Sequence, residues 1–295
     1  MPGIVGRLVR FSLVGVACWL ASPSLRAADL LPKDGDSIAF LGDSITAGGW
    51  GSPLGYVRLV VSGLEVNGVK VKPYPAGVSG HKSNDMLARL QRDVIDKKPT
   101  FMTLSCGVND VWHGERGVPL EAYKTNITAI VEKAQAAGIK VVILTSTLIT
   151  EDVNAKFNQL AIPYNDFLRQ LAKEKGCPLA DLNADERAVL AAMDEAVRKR
   201  GNQLTSDGVH MLPAGDVMMA SGVLRALGLS DAQLAKAREV WLDVPNAVTV
   251  GAQPRASLRQ MQQLKAVSDK QGRGVEAMVN EAVSATISNL LQSAK

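Results

Sequence analysis

Five short apolar runs, at residues 37–42, 69–74, 100–105, 140–145 and 178–182, are separated by segments of helical periodicity. Strands that alternate with helices pair as a parallel sheet, because each helix returns the chain to the end of the sheet it left. Residues 84–97 show the helical pattern: Met86, Leu87, Leu90, Val94 and Ile95 fall on one face, with Arg89, Arg92, Asp93 and Asp96 off it. Pro99 ends that helix. Another is expected to begin after Pro119 and to be closed by Gly138, proline first and glycine last.

The two ends of the 295-residue chain read differently. Arg7 and Arg10 precede an apolar stretch from Phe11 to Ala21, followed by Pro23 and the pair Ala27-Ala28, the order of a secretory leader. The stretch is shorter than the roughly 20 residues that span a bilayer. Cleavage near Ala27 is therefore expected, leaving a periplasmic or extracellular protein. Val14-Gly15-Val16-Ala17-Cys18 only loosely matches a lipoprotein box, and Trp19-Leu20 continue the apolar run past it. Residues 231–295 carry no strand pattern, and Val275, Met278, Val279, Ala282, Val283, Ile287, Leu290 and Leu291 form an apolar helical stripe. The expected division is a leader at 1–27, a catalytic domain at 28–230 and a helical extension at 231–295. The extension is expected to dock on the catalytic domain or to join two copies of the chain.

Charge and cysteine use exclude several classes. Without residues 1–27 the chain has 30 basic and 29 acidic residues, with no basic stripe for nucleic acid. Cys106 and Cys177 are too few for a disulfide scaffold and read as core thiols. The three histidines, His81, His113 and His210, have no metal-ligand spacing, so neither a metal nor another cofactor is expected.

In a doubly wound sheet, ligands bind beyond the carboxyl ends of the strands. Asp43-Ser44, Gly77-Val-Ser-Gly80, Gly107-Val-Asn109-Asp110 and, further on, Asp207 with His210 occupy such places and should meet on one rim. A serine hydroxyl needs a base, and imidazole titrates near neutrality. Asp207, three residues before His210, can hold one ring nitrogen while the other faces Ser44. The amides of Ser44 and Gly80 and the side chain of Asn109 are the candidate donors to an oxyanion. Asp43 and Asp110 are read as ties for the loop backbone.

Gly42-Asp43-Ser44-Ile45, Gly80, Gly107-Val108-Asn109-Asp110 and Asp207-Gly208-Val209-His210, in that order, resemble the four blocks of the SGNH/GDSL hydrolase family. The resemblance covers residues 37–228. It implies an α/β fold of flavodoxin-like, three-layer α/β/α type with a five-stranded parallel sheet, to which the C-terminal helical extension is added. It also implies a Ser44 nucleophile, a His210 base with Asp207, an oxyanion hole of Ser44, Gly80 and Asn109, and no cofactor. Two positions depart from the pattern: Pro75 or Ala76 stands where an asparagine often opens the second block, and Leu212 stands two after the histidine.

Trp50, His81, Trp112 and His113 are candidates to line the substrate pocket; loop residues packed on their neighbours or solvated are the alternative. The leading function is an exported serine esterase acting on a small-molecule or carbohydrate ester, with acetyl as the acyl group. A lysophospholipase or thioesterase, and a non-catalytic binding module, are the alternatives. A dinucleotide-binding protein is disfavoured, since Gly77-Val-Ser-Gly80 is a poor phosphate loop and would leave Asp207 and His210 without a role.

Overall fold

A computed structural model describes residues 32–244 and 257–293, so the leader-like segment lies outside the described residues. The order is β1 (Ser37–Gly42), α1 (Ser44–Gly51), α2 (Tyr56–Glu65), β2 (Lys72–Gly77), α3 (Ser83–Asp93), β3 (Phe101–Ser105), α4 (Val108–Trp112), α5 (Leu120–Ala136), β4 (Lys140–Leu144), α6 (Lys156–Glu174), β5 (Leu179–Ala180), α7 (Leu182–Ala192), α8 (Glu195–Arg198), α9 (Pro213–Ala226) and α10 (Asp231–Leu242). All neighbouring strands are parallel and the sheet order is β2-β1-β3-β4-β5, the flavodoxin-like arrangement.

Strand alternation divides the core between two helical layers. Ala39 and Leu41 of β1, Met102 and Leu104 of β3 and Val141 and Ile143 of β4 pack with Met86 and Leu90 of α3, Ile127 and Ile130 of α5 and Leu168 of α6. The intervening residues Ile38, Phe40, Val142 and Leu144 are equally buried and point to the opposite side. There α2, α7, α9 and α10 pack on one another. Each such side chain contributes about 1.5–3 kcal/mol by leaving water. The central strands therefore sit where their near-continuous apolar sequences require.

Several elements differ from the sequence expectation. β2 starts three residues later than expected and carries Pro73 and Pro75. The amides of Lys72 and Val78 donate to Asp36 and Gly42, so β2 uses its even positions to bond β1. The missing N–H groups of the two prolines fall at odd positions and face the open edge of the sheet. β5 is only two residues long, because Asp181 leaves the sheet to cap α7 through the Ala184 amide. The helix expected over 84–97 breaks after Asp93, and Ile95–Lys97 form a short 3₁₀ turn.

The chain divides between Val244 and Pro245 into two units. The first runs past the boundary expected at residue 230, because α10 buries Leu234, Ala237 and Trp241. The Trp241 indole donates to Ser62 Oγ at 3.0 Å and Asn67 donates to the Gln233 carbonyl at 3.1 Å, fastening α10 to α2 and the turn after it. The second unit contains α11 (Leu258–Gln271) and α12 (Val275–Ser293), the latter carrying the apolar stripe. Among the described residues no helix is long and apolar enough to cross a membrane.

A buried carboxyl joins α9 to α2. Gly55 has no side chain to cap α2, and Asp216 in the first turn of α9 accepts the Tyr56 amide at 2.8 Å instead. Burial pushes the Asp216 carboxyl up to about 7 against that hydrogen bond, and burial pushes Glu186 up to about 7 as well. Between about pH 4, where the unfolded carboxyls titrate, and these raised values, the folded chain holds more protons than the unfolded one. This contribution is complete at low pH and is lost as pH rises through 7. Asp216→Asn keeps an acceptor and removes the buried charge. It is expected to raise stability at pH 8 by on the order of 2 kcal/mol and to flatten the slope between pH 5 and 8 in urea unfolding; an unchanged slope would remove Asp216 from that window.

Candidate active site

β1 stops at Gly42 because the next side chain turns back on the backbone. Asp43 Oδ1 accepts the Ile45 amide at 2.9 Å and caps α1, which puts Ser44 at the first helical position. Ser44 Oγ lies 2.9 Å from His210 Nε2, and His210 Nδ1 lies 2.7 Å from Asp207 Oδ2. The other Asp207 oxygen accepts the amides of Val209 and His210 at 3.0 and 2.8 Å. Partial burial acts to raise the Asp207 carboxyl, but the His210 amide and imidazole and the Val209 amide outweigh it and hold the group at about 2. Asp207 is thus ionised at any working pH, and a carboxylate on Nδ1 keeps the Nε2 lone pair toward the hydroxyl.

The candidate donors, the Ser44 and Gly80 amides and Asn109, follow β1, β2 and β3. Asn109, buried in α4, directs Nδ2 to the His81 carbonyl at 3.2 Å and to Asp43 Oδ2 at 3.4 Å. Both contacts are long and can yield to an oxygen carrying negative charge. The Ser44 and Gly80 amides donate to no protein group among the described residues. Gly107 turns the chain from β3 into α4 at φ 138°, and a Cβ there would lie 2.2 Å from Ser146 Oγ. Only glycine fits, and this places Asn109 two residues on. Asp43 and Asp110 do hold the backbone: Asp110 accepts the Ser83 amide at 3.0 Å. Burial, reinforced by Asp110, pushes Asp43 up to about 6, against the Ile45 hydrogen bond.

The remaining candidates separate. His81 follows Gly80 and accepts Arg89 Nε at 3.0 Å through Nδ1, which leaves its ring proton on Nε2. His113 contacts the Asn109 carbonyl at 3.0 Å through Nδ1, and Trp112 is exposed and meets the His113 ring edge-on. Trp50 sits six residues along α1 from Ser44, about 9 Å along a helix axis. It lies under the Arg58 guanidinium and lines a separate cavity of about 360 Å³ with Pro53, Leu59 and Glu65.

Arg89 is the residue that periodicity missed. A charged residue off the apolar face of α3 reads as solvated, yet Arg89 is buried. It donates to the carbonyls of Gly42 and Ala76, both at 2.8 Å, to His81 and to Asp93. It thereby ties the ends of β1 and β2 to the loop that carries Gly80.

The family described as GDSL-like lipase/acylhydrolase matches residues 40–217. The chain belongs to that family. An acetylxylan esterase of Geobacillus stearothermophilus is 27% identical over 213 residues, which cover 66% of this chain and 94% of that one. Esterase TesA of Pseudomonas aeruginosa is 32% identical over 109 residues, covering 37% of this chain and 53% of that one. A crystal structure of an acetylxylan esterase from Geobacillus stearothermophilus superposes with a TM-score of 0.59 at 25% identity, covering 67% of this chain and 96% of that one. This GDSL-family chain is a carboxylic ester hydrolase, with helices on both sides of a five-stranded parallel sheet.

Removing Arg89 would take a buried donor from the Ala76 carbonyl and leave the Gly42 carbonyl to the Val78 amide and the Asp93 carboxylate to Arg92. Arg89→Met is expected to lower unfolding free energy by on the order of 3 kcal/mol in urea titration; wild-type stability would mean that water replaces the guanidinium without cost.

Proposed function

We propose that this GDSL hydrolase removes acetyl groups from a carbohydrate through an acyl-enzyme on Ser44. The observation that carries the reading is the continuous chain from Ser44 Oγ through His210 to Asp207, with spacings of 2.9 and 2.7 Å. His210 takes the hydroxyl proton as Ser44 attacks the ester carbonyl, and Asp207 stabilises the imidazolium. The Ser44 and Gly80 amides and Asn109 Nδ2 receive the oxyanion. The proton then goes to the leaving sugar oxygen, and water activated by His210 releases acetate.

The substrate class rests on the similarity to the Geobacillus stearothermophilus enzyme, also described as an acetyl-xylooligosaccharide esterase. Its catalytic variants replace a serine, a histidine and an aspartate, and there too the aspartate precedes the histidine by three residues. The leader-like N-terminus and similarity to an uncharacterised lipoprotein of Bacillus subtilis, 26% identical over 174 residues, support export.

Acetate release from acetylated xylan and hydrolysis of p-nitrophenyl acetate, butyrate and octanoate test the reading. Turnover should fall with chain length and vanish in Ser44→Ala; a preference for octanoate would move the substrate to long-chain esters. Asn109→Ala should lower kcat about 100- to 1,000-fold without unfolding, and near-normal turnover would remove Asn109 from the oxyanion hole.

The pH dependence separates two titrating groups. Asp207, at about 2, stays ionised, whereas Asp43 titrates at about 6. Activity should fall on the acid side, where the base that accepts the Ser44 proton is itself protonated. Asp43→Asn should leave that limb in place. Its disappearance in this variant would assign the limb to Asp43.

A further inference from the structure

The side chains of Asp207 and His210 are exposed to 48% and 41%, and no regular element contains the segment that bears them. It folds as a small hairpin: Thr205 bridges Met211, the Ser206 amide donates to the His210 carbonyl at 2.8 Å, and the Leu212 amide donates to the Leu204 carbonyl at 2.8 Å. Something outside the hairpin must fix where it stands.

One side chain does so. Glu151 Oε1 accepts the amides of Leu204 and Thr205 and the Thr205 hydroxyl, and Oε2 accepts the Gln203 amide, each at 2.8 Å. Beside it the Thr150 amide donates to the Gly208 carbonyl at 2.8 Å, at the turn between Asp207 and His210. A Cβ on Gly208, whose φ is 95°, would lie 3.1 Å from Thr150 Cα, so backbone meets backbone there. Thr150 itself has φ 84°, a conformation costly for a β-branched residue. Strain of this kind persists only where surroundings impose it. Here Glu186 holds the Leu148 amide at 2.7 Å, and Asn158 holds the Ile149 amide at 2.7 Å and the Thr150 and Asp152 carbonyls at 2.9 and 2.7 Å.

We propose that Glu151 is a positioning residue for the reaction, fixing the hairpin so that His210 meets Ser44 at hydrogen-bond distance. The inference rests on the functional reading above. Glu151 touches neither Ser44 nor His210; it acts through the backbone of residues 203–205. A displacement of about 1 Å at a reacting pair can cost 100-fold, and four hydrogen bonds to one carboxylate leave the hairpin stem little room to shift.

The test compares Glu151→Ala, Glu151→Gln and Thr205→Val with the wild-type chain in p-nitrophenyl acetate hydrolysis, with Ser44→Ala as control. Proton NMR of histidine-labelled protein follows the low-field resonance of the Asp207-bound His210 Nδ1–H. Glu151→Ala should lower kcat about 10- to 100-fold with KM within about 2-fold, and broaden or abolish that resonance. Glu151→Gln retains one acceptor oxygen and should recover most of both signals, and Thr205→Val, which deletes one of the bonds, should show a smaller loss. A lowered Tm with wild-type kcat and an unaltered resonance would overturn the proposal. If Glu151→Ala does not fold, full activity and an unaltered resonance in both other variants would overturn it equally. Retained activity in Ser44→Ala would instead overturn the reading on which it rests.

Discussion

The hydrogen bond from the Ile45 amide to the buried Asp43 carboxyl decides where β1 ends and α1 begins, and the geometry of the site follows from that point. It sets Ser44 on the first turn of α1, facing the carboxyl ends of the strands. Two residues on, Thr46 Oγ1 meets the Tyr56 hydroxyl at 2.8 Å, and the Tyr56 amide meets Asp216 in α9. α9 starts three residues after His210. Ser44 and His210 lie 166 residues apart in the chain, and this relay joins the helix that carries one to the helix that follows the other. Arg89 braces the same strand end from the far side, through the Gly42 carbonyl.

Two carboxyls flank one imidazole, and their surroundings give them opposite states. Asp207 accepts three hydrogen bonds in partial contact with water and is held at about 2. Asp43 is sealed beneath the turn, and burial with the neighbouring Asp110 raises it to about 6. An exposed carboxylate with several donors can stabilise a nearby positive charge continuously. A buried one, closed off from water, caps the helix and accepts Asn109.

The parts of the fold legible in the sequence are those in which one local signal sufficed. β1, β3 and β4 are apolar runs in the centre of the sheet, and α5 and α9 begin as their prolines indicate. β2 was harder to bound because prolines normally argue against a strand, and only its edge position makes them harmless. The blocks of the candidate site stand out in the sequence because Ser44, Gly80 and Asn109 each follow a strand and Asp207 and His210 lie in a short motif. Arg89 and Glu151 are not readable in this way. Their partners are main-chain carbonyls and amides from distant segments, and a main-chain partner leaves no trace in side-chain chemistry. The attachment of α10, beyond residue 230, is not readable for a related reason: it is held by Trp241 and Ser62, 179 residues apart.

The edges of the sheet have a consequence beyond the placement of strands. An exposed strand edge is a template on which another molecule can extend the sheet, the usual route to aggregation. Pro73 and Pro75 remove the donors from the outer side of β2, and β5 at the other edge offers only two residues. Both edges are poor templates for a further strand. Edge-to-edge pairing of the native sheet between two copies is therefore disfavoured, and the longer apolar strands β1 and β4 are kept off the border as long as β2 and β5 stay docked.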